Sequence, residues 1–585
     1  MRDAIMDKQL PLFIPHSSTT TAVNKTGSWR FFHPKYEEKT APCSAACPVG
    51  QDIPRIEMLA ARGQLKDAWQ TILNENPFPS VCGRVCFHPC EGVCNRANMD
   101  NPIAIHHLER FLGDAAVRGK FRADLDIRPS TGKKVAIAGA GPAGLAAAYF
   151  LARLGYGCDV FEAASEPGGL LRWGIPAYRL PRDVLAQEIK RIERAGVQIH
   201  CQHPVTGRML VDLKKDYDGL FIGCGCARSF MLTIEGEEFA GDGLEFLNRL
   251  GSGEKISYFG TAAIIGGGNT AIDVARSLAR LGAAPLIVYR RRIQDMPAFE
   301  PEVAMAAEEG VRLMELVTPI RIRETVGGSS TAPPGYELIL QKMKVSGKDT
   351  GGRARVVPDG DATETIAVKN VFVAIGAVAE DLWQFPDPEK TTDLPFSHCR
   401  LFARRMPLVY GGDLATPVKS VSDAIASGKQ AAMALDTWFQ HGTDAIAERL
   451  AGCRVGAGPA LSMEIYLGKT RKNRTSHTVS YDEIVSDYFQ PAARSVPPTL
   501  DAEQRLRSFA EIESTLADTA ARNEAERCFN CGICAACDYC RLYCPEMAVV
   551  VEKTQRSINM DFCKGCGVCA TECPRNAMAL EEEIK

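Results

Sequence analysis

Apolar and polar residues alternate along the middle of the chain in a repeated strand–helix–strand order. In "KKVAIAGAGPAGLAAAYFLARLGYGCDVFEA" (133–163), an apolar run leads through a Gly-rich turn into an apolar helical stretch and a second apolar run. "TAAIIGGGNTAIDVARSLARLGAAPLIVYRRR" (261–292) repeats this order. Because parallel strands are joined by a crossover helix, each stretch predicts one unit of a parallel sheet.

A third apolar piece places the second unit inside the first. Residues 368–377 predict a strand, and 406–435 predict a short strand that ends in Gly411-Gly412-Asp413 before a long helix. This return predicts that the second unit is an insertion into the first.

The ends of the chain have other patterns. Residues 43–112 alternate helical spacing with cysteine loops. In 443–523, "GKTRKNRTSH" and "QPAARSVPPTL" are typical of extended surface chain, and 501–527 has helical periodicity after a Thr/Asp start. Such a long connection predicts a C-terminal module docked away from the two strand–helix–strand units.

Composition excludes several functional classes. The 585 residues are 45% hydrophobic and 24% charged, with a net charge of −3, so no basic footprint for nucleic acid or an anionic membrane exists. No apolar run reaches the roughly 18 residues that a membrane span requires, and residues 1–21 do not resemble a secretory signal.

The 22 cysteines are segregated, with six in 43–94 and ten in 528–573. Runs with two- and three-residue spacers indicate metal sites in a reducing compartment rather than secreted disulfides. A cytoplasmic protein is therefore expected.

The first Gly-rich turn predicts a dinucleotide site. Gly139, Gly141 and Gly144 form G-x-G-x-x-G around Pro142 and Ala143. The first glycine makes the turn, the second admits a pyrophosphate and the third allows close helix packing. Glu162 ends the next strand, where a carboxylate accepts hydrogen bonds from ribose hydroxyls.

The second turn carries Gly266, Gly268 and Ala271 at the same three positions, and its second strand ends in arginines instead of an acid. Arg290, Arg291 and Arg292 would pair with a 2′-phosphate, which favours NADPH over NADH. A solvated basic turn is the alternative interpretation.

The C-terminal cysteines predict a ferredoxin. "CAACDYCRLYCP" and "CKGCGVCATECP" both have the spacing C-x2-C-x2-C-x3-C-P, in which the fourth cysteine of each run ligates the other cluster. Two [4Fe–4S] clusters are predicted, one with Cys534, Cys537, Cys540 and Cys573, the other with Cys563, Cys566, Cys569 and Cys544.

Cys224 and Cys226 form a further pair, in "FIGCGCARS" after a strand. They are either a redox pair or small residues that fill a tight loop.

Residues 130–440 resemble the FAD/NADPH half of the glutamate synthase small subunit family, notably in "PGGLLRWGIPAYRLP" (167–181) and "YRRRIQDMPA" (289–298). The resemblance implies that FAD is held by Glu162, Gly169, Leu170, Arg172, Gly412 and Asp413. It implies that the nicotinamide nucleotide is held by Gly266, Gly268, Asn269, Thr270, Arg290 and Arg291.

The N-terminal region resembles the helical domain with two [4Fe–4S] clusters in the same family and in dihydropyrimidine dehydrogenase. By this resemblance Cys43, Cys47, Cys86, Cys90, Cys94 and Glu109 are ligands and Cys82 is not. The family opens this domain with "EA..RC..C", but residues 1–42 contain no cysteine.

The missing phrase occurs near the other end of the chain, as "EAERCFNC" (524–531). We expect Cys528 and Cys531 to return to Cys43 and Cys94 around one cluster, within one chain or across a dimer. The second cluster would use Cys47, Cys86, Cys90 and Glu109. The alternative is that Cys528 and Cys531 are structural thiols beside the ferredoxin.

An α/β multidomain protein is thus expected, with a helical iron–sulfur domain, nested Rossmann-like domains and a C-terminal ferredoxin. The expected divisions are 1–130 (helical), 131–255 and 381–442 (FAD), 256–380 (NAD(P)H), 443–523 (linker) and 524–585 (two-cluster ferredoxin).

The expected function is an NAD(P)H:acceptor oxidoreductase with one FAD and four [4Fe–4S] clusters, running in either direction. Its partner would be a ferredoxin or a reductase subunit; the architecture also resembles the iron–sulfur flavoprotein of dissimilatory sulfite reductase. Alternatives are an electron-bifurcating transhydrogenase subunit, a glutamate synthase small subunit that needs a partner chain, or a non-catalytic redox sensor.

Overall fold

The computed structural model describes residues 23–325, 335–348, 352–383, 392–396, 398–403, 406–552 and 555–583. The helices, in chain order, are α1 Pro42–Ala46, α2 Ile53–Ala61, α3 Leu65–Leu73, α4 Pro79–Val85, α5 Pro89–Gly92, α6 Ile105–Val117, α7 Pro142–Arg153, α8 Leu170–Trp173, α9 Arg182–Glu193, α10 Gly207–Asp216, α11 Gly243–Gly251, α12 Asn269–Arg280, α13 Glu300–Glu308, α14 Val421–His441, α15 Ala445–Ala451, α16 Met463–Tyr466, α17 Ala502–Leu506, α18 Asp518–Glu526, α19 Tyr539–Leu542 and α20 Val568–Thr571.

The strands are β1 Phe32–Tyr36, β2 Lys134–Ala138, β3 Gly157–Phe161, β4 Gln198–His200, β5 Gly219–Ile222, β6 Arg228–Ser229, β7 Gly241–Asp242, β8 Thr261–Ile265, β9 Ala284–Tyr289, β10 Arg312–Glu315, β11 Val317–Thr325, β12 Gly335–Lys348, β13 Ala354–Val368, β14 Asn370–Val373, β15 Ala377–Val378, β16 Thr392–Pro395, β17 Cys399–Ala403, β18 Leu408–Gly411, β19 Val549–Glu552, β20 Gln555–Ile558 and β21 Met578–Glu582.

The N-terminal domain is built from the short helices α1–α6. Proline occupies the first turn of α1, α2, α4 and α5, where its missing N–H costs no intrahelical hydrogen bond. In α3, Ala68, Trp69, Ile72 and Leu73 share one buried face, as their helical spacing requires. Apart from Cys82, which lies in the middle of α4, the cysteines lie at the helix ends and in the loops between them.

The first parallel sheet has the order β16-β17-β18-β5-β2-β3-β4. Strands β18, β5, β2, β3 and β4 run parallel, and β17 is antiparallel to β18. Helices α7 and α14 pack closely, and a Cβ at Gly428 would stand 2.2 Å from the carbonyl oxygen of Ala143. Because β2 is a central parallel strand, the Gly-rich turn that follows it opens at the carboxyl edge of this sheet.

The second parallel sheet, β10-β9-β8-β14-β7, lies between β5 and β16 in sequence, which confirms the predicted nesting. It begins earlier than residue 256, because β7 joins it and α11 packs on α12. An antiparallel meander, β11-β12-β13, extends the same domain, and the two chain crossings pair as β6 and β15.

The C-terminal module docks against the N-terminal segment, and none of its residues lines the nucleotide cavity described below. Strand β1, near the N-terminus, pairs antiparallel with β21, with Phe32 opposite Glu582 and Tyr36 opposite Met578. The backbone N–H of Lys39 donates to Gly532 at 2.8 Å. The C-terminal module is thus joined to the N-terminal segment by a pair of strands and a backbone hydrogen bond.

Of the two stretches in 443–523 expected to be extended surface chain, 490–500 is extended and mostly exposed, whereas 468–477 is partly buried, and other parts of the segment enter the core. Leu461, Arg471, Ile512 and Leu516 are at most 5% exposed. Arg471 is buried because it pairs with Glu75 and donates to the carbonyl of Gly50. The helix predicted over 501–527 is divided into α17 and α18, because the intervening residues form tertiary ion pairs that override local periodicity.

Candidate functional site

A cavity of about 870 Å³ opens at the carboxyl edge of the first sheet. Its walls come from the first sheet, the N-terminus of α12 and the helical domain. The expected nucleotide residues that line it are Gly139, Gly141, Pro142, Ala143, Glu162, Gly169, Leu170, Asn269, Thr270, Gly412 and Asp413. One space therefore brings together residues predicted for both nucleotides.

The backbone of the first turn fits a pyrophosphate. Gly139 has φ +96°, and a Cβ at Gly144 would stand 2.0 Å from the Gly139 carbonyl oxygen. At Gly141 the nearest atom to such a Cβ is 4.0 Å away, so this side of the turn is open. Gly144 packs the helix, while Gly141 leaves room at its N-terminus for a phosphate.

The Glu162 carboxylate is fixed at the cavity wall. Its Oε2 accepts from the backbone N–H of Ala140 at 2.8 Å, and its Oε1 accepts from that of Ala164 at 2.9 Å. These bonds hold both oxygens in place, and each keeps capacity for a further donor such as a ribose hydroxyl.

The second turn repeats this geometry. Gly266 has φ +145°, and a Cβ there would stand 2.2 Å from the Ala374 carbonyl oxygen, whereas a Cβ at Gly268 would meet nothing within 4 Å. Asn269 Oδ1 accepts from the backbone N–H of Phe299 at 2.9 Å. Ala271 is buried beneath the turn, as a packing position should be.

The arginines after β9 lie outside the cavity wall. Arg290 is exposed, Arg291 Nε donates to the carbonyl oxygen of Ala354 at 2.8 Å, and Arg292 pairs with Asp295 at 2.8 Å.

Arg172, expected to hold FAD, is fixed within its own loop beside the cavity. Its Nε donates to the Pro167 carbonyl oxygen and its guanidinium pairs with Glu166, each at 2.8 Å. These contacts support the loop that carries Gly169.

Several lining residues were missed by the sequence analysis, among them Trp173, Asp273 and Lys419. Trp173 Nε1 is buried with no partner among the described residues, so it is an available donor. Trp173 lies within the stretch 167–181, but no nucleotide-binding motif marks a tryptophan at this position.

Cys224 and Cys226 both line the cavity as free thiols. Burial raises the pKa of Cys224 well above the ordinary value, and Glu162 and Glu380 add to the effect. A thiol kept protonated is a poor nucleophile, so the geometry favours the packing interpretation over the redox pair.

Cys43, Cys94, Cys528 and Cys531 lie together within one chain. Burial raises the pKa of Cys43, and the neighbouring thiolates of the other three raise it further. Asn95 Nδ2 lies 3.5 Å from Cys531 Sγ as a donor, and the Arg96 guanidinium donates to the carbonyl of residue 527 at 3.0 Å. The C-terminal pair thus reaches the N-terminal domain without a second copy.

Cys47, Cys86 and Cys90 form a neighbouring group with Glu109. Glu109 Oε1 accepts from Gln51 Nε2 and Asn76 Nδ2, both at 2.8 Å. Burial raises the pKa of Glu109 to about 8, against the lowering effect of the two amides. Both amides hold the same carboxylate oxygen in place, as hydrogen-bond partners do for carboxylates that bind metals.

The ferredoxin cysteines surround two small pockets. Cys534, Cys537, Cys540 and Cys573 line one of them, and Cys544, Cys563, Cys566 and Cys569 line the other. Each pocket thus contains three cysteines of one run and the fourth of the other, which is the arrangement that two [4Fe–4S] cubes require. Among the described residues, no three His, Cys, Asp or Glu side chains converge as tightly as a single metal ion needs; the ligands of a cube bind separate irons.

Backbone and side-chain donors point at several of these sulfurs. The N–H groups of Ala548 and Ala577 donate to Cys544 and Cys573, each at 3.3 Å, and Tyr36 Oη lies 3.3 Å from Cys540 Sγ. Such hydrogen bonds tune the reduction potential of a cluster.

The four cysteine groups follow one another away from the cavity. Val85 and Phe87, on either side of Cys86, line the cavity. Cys90 interacts electrostatically with both Cys47 and Cys43, which connects the first two groups. Cys534 follows Cys531 by three residues, which connects the second group to the first ferredoxin group. Cys569 interacts electrostatically with Cys540, which connects the two ferredoxin groups.

Two nucleotide cradles around one cavity, followed by cysteine groups suited to iron–sulfur cubes, define an NAD(P)H-dependent iron–sulfur flavoprotein oxidoreductase. Family models agree along the chain: dihydropyrimidine dehydrogenase domain II, 4Fe-4S cluster, over 36–120; pyridine nucleotide-disulphide oxidoreductase over 133–383; and 4Fe-4S binding domain over 556–579.

Three curated relatives extend this result. The chain is 34% identical to the NADP(+)-dependent formate dehydrogenase subunit beta of Moorella thermoacetica over 84% of this chain and 70% of that one. It is 31% identical to the NADPH-Fe(3+) oxidoreductase subunit beta of Geobacter sulfurreducens (87% and 77%) and 32% identical to the glutamate synthase [NADPH] small chain of Escherichia coli (68% and 88%).

The chain belongs to the glutamate synthase small chain-like family of iron–sulfur flavoproteins, in the form that carries a C-terminal ferredoxin module. It is an oxidoreductase whose cofactors are FAD, NAD(P)H and multiple [4Fe–4S] clusters. No helix of the described part of the chain is long and apolar enough to cross a membrane.

Proposed function

We propose that this chain is the NADPH-linked subunit of a larger reductase and conducts electrons between the nucleotide cavity and an exposed face of its ferredoxin module. The observation that carries the proposal is the order of sites: cavity, Cys86 group, Cys43 group and the two ferredoxin pockets. FAD, when bound, exchanges an electron pair with the nicotinamide and single electrons with a cluster.

The proposal assigns four clusters to this chain. The pairs Cys43/Cys94 and Cys528/Cys531 would hold one, and Cys47, Cys86, Cys90 and Glu109 another. The two ferredoxin sets would hold the third and fourth. A homodimer is not needed to complete any set, because Cys528 and Cys531 reach Cys43 within one chain. The unpaired thiols of all these sets also favour a cytoplasmic location.

The last ferredoxin pocket lies beside an exposed apolar surface. Leu542, Tyr543 and Met547 are 73%, 50% and 84% exposed on either side of Cys544. Exposed apolar groups of this kind mark contact sites for other proteins. A partner reductase subunit or a ferredoxin would dock here, which accords with relatives that are named as subunits.

The test compares two acceptors under anaerobic conditions. The holoprotein should oxidise NADPH with methyl viologen and with a bacterial 2[4Fe–4S] ferredoxin. Leu542→Glu/Met547→Glu should slow the ferredoxin reaction by about tenfold, by removing apolar contact, and leave the viologen reaction unchanged. Val211→Glu, on the exposed helix α10, is the matched control.

Absence of viologen reduction at full flavin and iron content would contradict the proposal and favour a sensor. Equal ferredoxin rates in wild type and the double variant would place the docking face elsewhere.

Nucleotide choice is tested at the end of β9. Arg290→Ala should raise the KM for NADPH by about tenfold and leave the KM for NADH unchanged, because only NADPH has a 2′-phosphate for the guanidinium to pair with. Steady-state viologen reduction with each nucleotide measures both values. Arg249→Ala, an exposed arginine paired with Glu254, is the control. A parallel rise for both nucleotides would mean that Arg290 does not read the phosphate.

A further inference from the structure

The nicotinamide domain is connected to the flavin domain by two short chain crossings. They pair as β6 with β15, with Ala377 opposite Ser229 and Val378 opposite Arg228, and the backbone N–H of Phe230 donates to the Gly376 carbonyl oxygen at 2.9 Å. A few residues between two domains commonly serve as a hinge. Yet the cavity needs Gly141 of one domain and Asn269 of the other at the same time. Transfer between two bound nucleotides therefore depends on the relative orientation of these domains.

A buried joint fixes that orientation on the flavin side. The Tyr178 ring is fully buried, and the guanidinium carbons of Arg276 and Arg280 lie 5.0 and 4.0 Å from its centroid. Arg179, next in the chain, donates to both carboxylate oxygens of Asp273 at 2.9 and 2.8 Å. Asp273 itself lines the cavity, so the joint reaches the site of transfer.

Residues 499–516, which we call the strap, close the joint from the other side. Arg505 is 4% exposed and pairs with Glu308 and with Glu309, the latter at 3.5 Å. The backbone N–H of Ile512 donates to the Tyr178 carbonyl oxygen at 3.1 Å, and the Phe509 ring centroid lies 6.1 Å from that of Tyr178. The strap thus contacts both domains.

Glu309 connects the strap to the joint. Besides Arg505, it accepts from Arg276 at 2.6 and 2.9 Å and from Arg280 at 2.7 and 3.0 Å. Burial disfavours its charge, but the hydrogen bonds from these two arginines lower its pKa to about 2. The same arginines that face Tyr178 are therefore fixed by a carboxylate that Arg505 also contacts.

The far end of the strap is anchored in the iron–sulfur domain. Glu511 pairs with Arg84 at 2.6 Å and with Arg110 at 2.8 Å, and Glu513 pairs with Arg110 at 3.1 Å. Arg84 and Arg110 are almost fully buried, at 3% and 4% side-chain exposure. Both arginines belong to helices, Arg84 to α4 and Arg110 to α6, so the strap is anchored to helices of that domain.

We propose that Arg505 is a positioning residue for the reaction between NADPH and the flavin. Through Glu308 and Glu309, it holds the nicotinamide domain in the orientation that places both nucleotides in one cavity. The domain then keeps this orientation between turnovers instead of rotating about the β6–β15 crossings. This role rests on the proposed use of NADPH as the nucleotide substrate.

The experiment is anaerobic stopped-flow reduction of the flavin in the full-length holoprotein. Arg505→Ala should lower the limiting rate at saturating NADPH by about tenfold, because small displacements of reacting groups have effects of this size or larger. Arg505→Lys should recover part of the loss. Affinity for NADP⁺, measured by equilibrium titration, should stay within about twofold, since Arg505 does not line the cavity.

The matched control is Arg507→Ala, two residues away, whose side chain is 72% exposed and pairs only with Glu503 among the described residues. Its rate should equal that of wild type. Hydrogen exchange should also become faster at residues 228–229 and 377–378 in Arg505→Ala alone. A merely structural defect would instead lower the flavin and iron content.

An unchanged limiting rate in Arg505→Ala would overturn the inference, as would a loss of NADP⁺ affinity at unchanged limiting rate. If Arg505→Ala does not retain FAD, the milder Glu308→Ala provides the same test, with about a threefold lower rate expected and an unchanged rate contradicting it. If wild type itself is not reduced by NADPH, the proposed function fails, and that outcome is distinct from failure of the strap.

Discussion

Cys528→Ala/Cys531→Ala will lose about four irons per chain, because one [4Fe–4S] site loses two of its four ligands. The loss separates the cavity side of the chain from the ferredoxin module. Reduction of ferredoxin by NADPH should therefore fall to the background rate. Reduction of ferricyanide, which a flavin serves directly, should persist. Iron and flavin analysis after anaerobic preparation, with rates for both acceptors, measures the effect.

Cys453→Ala is the control for this prediction, since Cys453 is a buried thiol far from every cysteine group in sequence. It should keep the iron content of wild type. If the double variant also keeps all its iron, Cys528 and Cys531 are structural, and the Cys43 group must find its ligands elsewhere.

Glu75→Ala should destabilise the fold by about 3–5 kcal/mol, since it leaves buried cations without their partner. The Glu75 side chain is fully buried and accepts from Lys429 Nζ at 2.5 Å, Arg471 at 3.2 Å and the backbone N–H of Met463 at 2.8 Å. Lys429 also donates to the Val49 carbonyl oxygen, two residues beyond Cys47. The variant should lose its flavin and cluster absorbance at a lower urea concentration.

Asp67→Ala is the matched control, because Asp67 is an exposed acid in the first turn of α3, at whose other end Glu75 follows. It should cost at most about 1 kcal/mol. A Glu75→Ala midpoint equal to that of Asp67→Ala would show that Lys429 and Arg471 find other compensation.

The features that the sequence predicted well are those determined by residues that are close together in the chain. Gly139 and Gly266 are glycines because the turns need positive φ, and that need is local. The helix expected over 501–527 and the surface chain expected over 468–477 were wrong because charges in both stretches are neutralised by distant residues. Arg471 meets Glu75, 396 positions earlier, and no periodicity near Arg471 shows this.

Arg172 illustrates a second limit of prediction from sequence. Its place in a family phrase predicts a contact with FAD, but the sequence does not show that Glu166 and Pro167 hold its guanidinium. Trp173, its neighbour, lines the cavity. One step along a short helix is enough to change the direction of a side chain.

The return of Cys528 and Cys531 to Cys43 sets an order for biosynthesis. Cys43 and Cys94 leave the ribosome early, but their remaining partners follow more than 400 residues later. At about 5–20 residues per second, that interval is roughly 20–90 s. The cluster that draws on the earliest cysteine therefore cannot be completed until translation has almost ended, shortly before the two ferredoxin clusters gain their own last cysteines. A prematurely terminated chain could still fold its nucleotide domains, yet it would have no conducting path by which to release electrons.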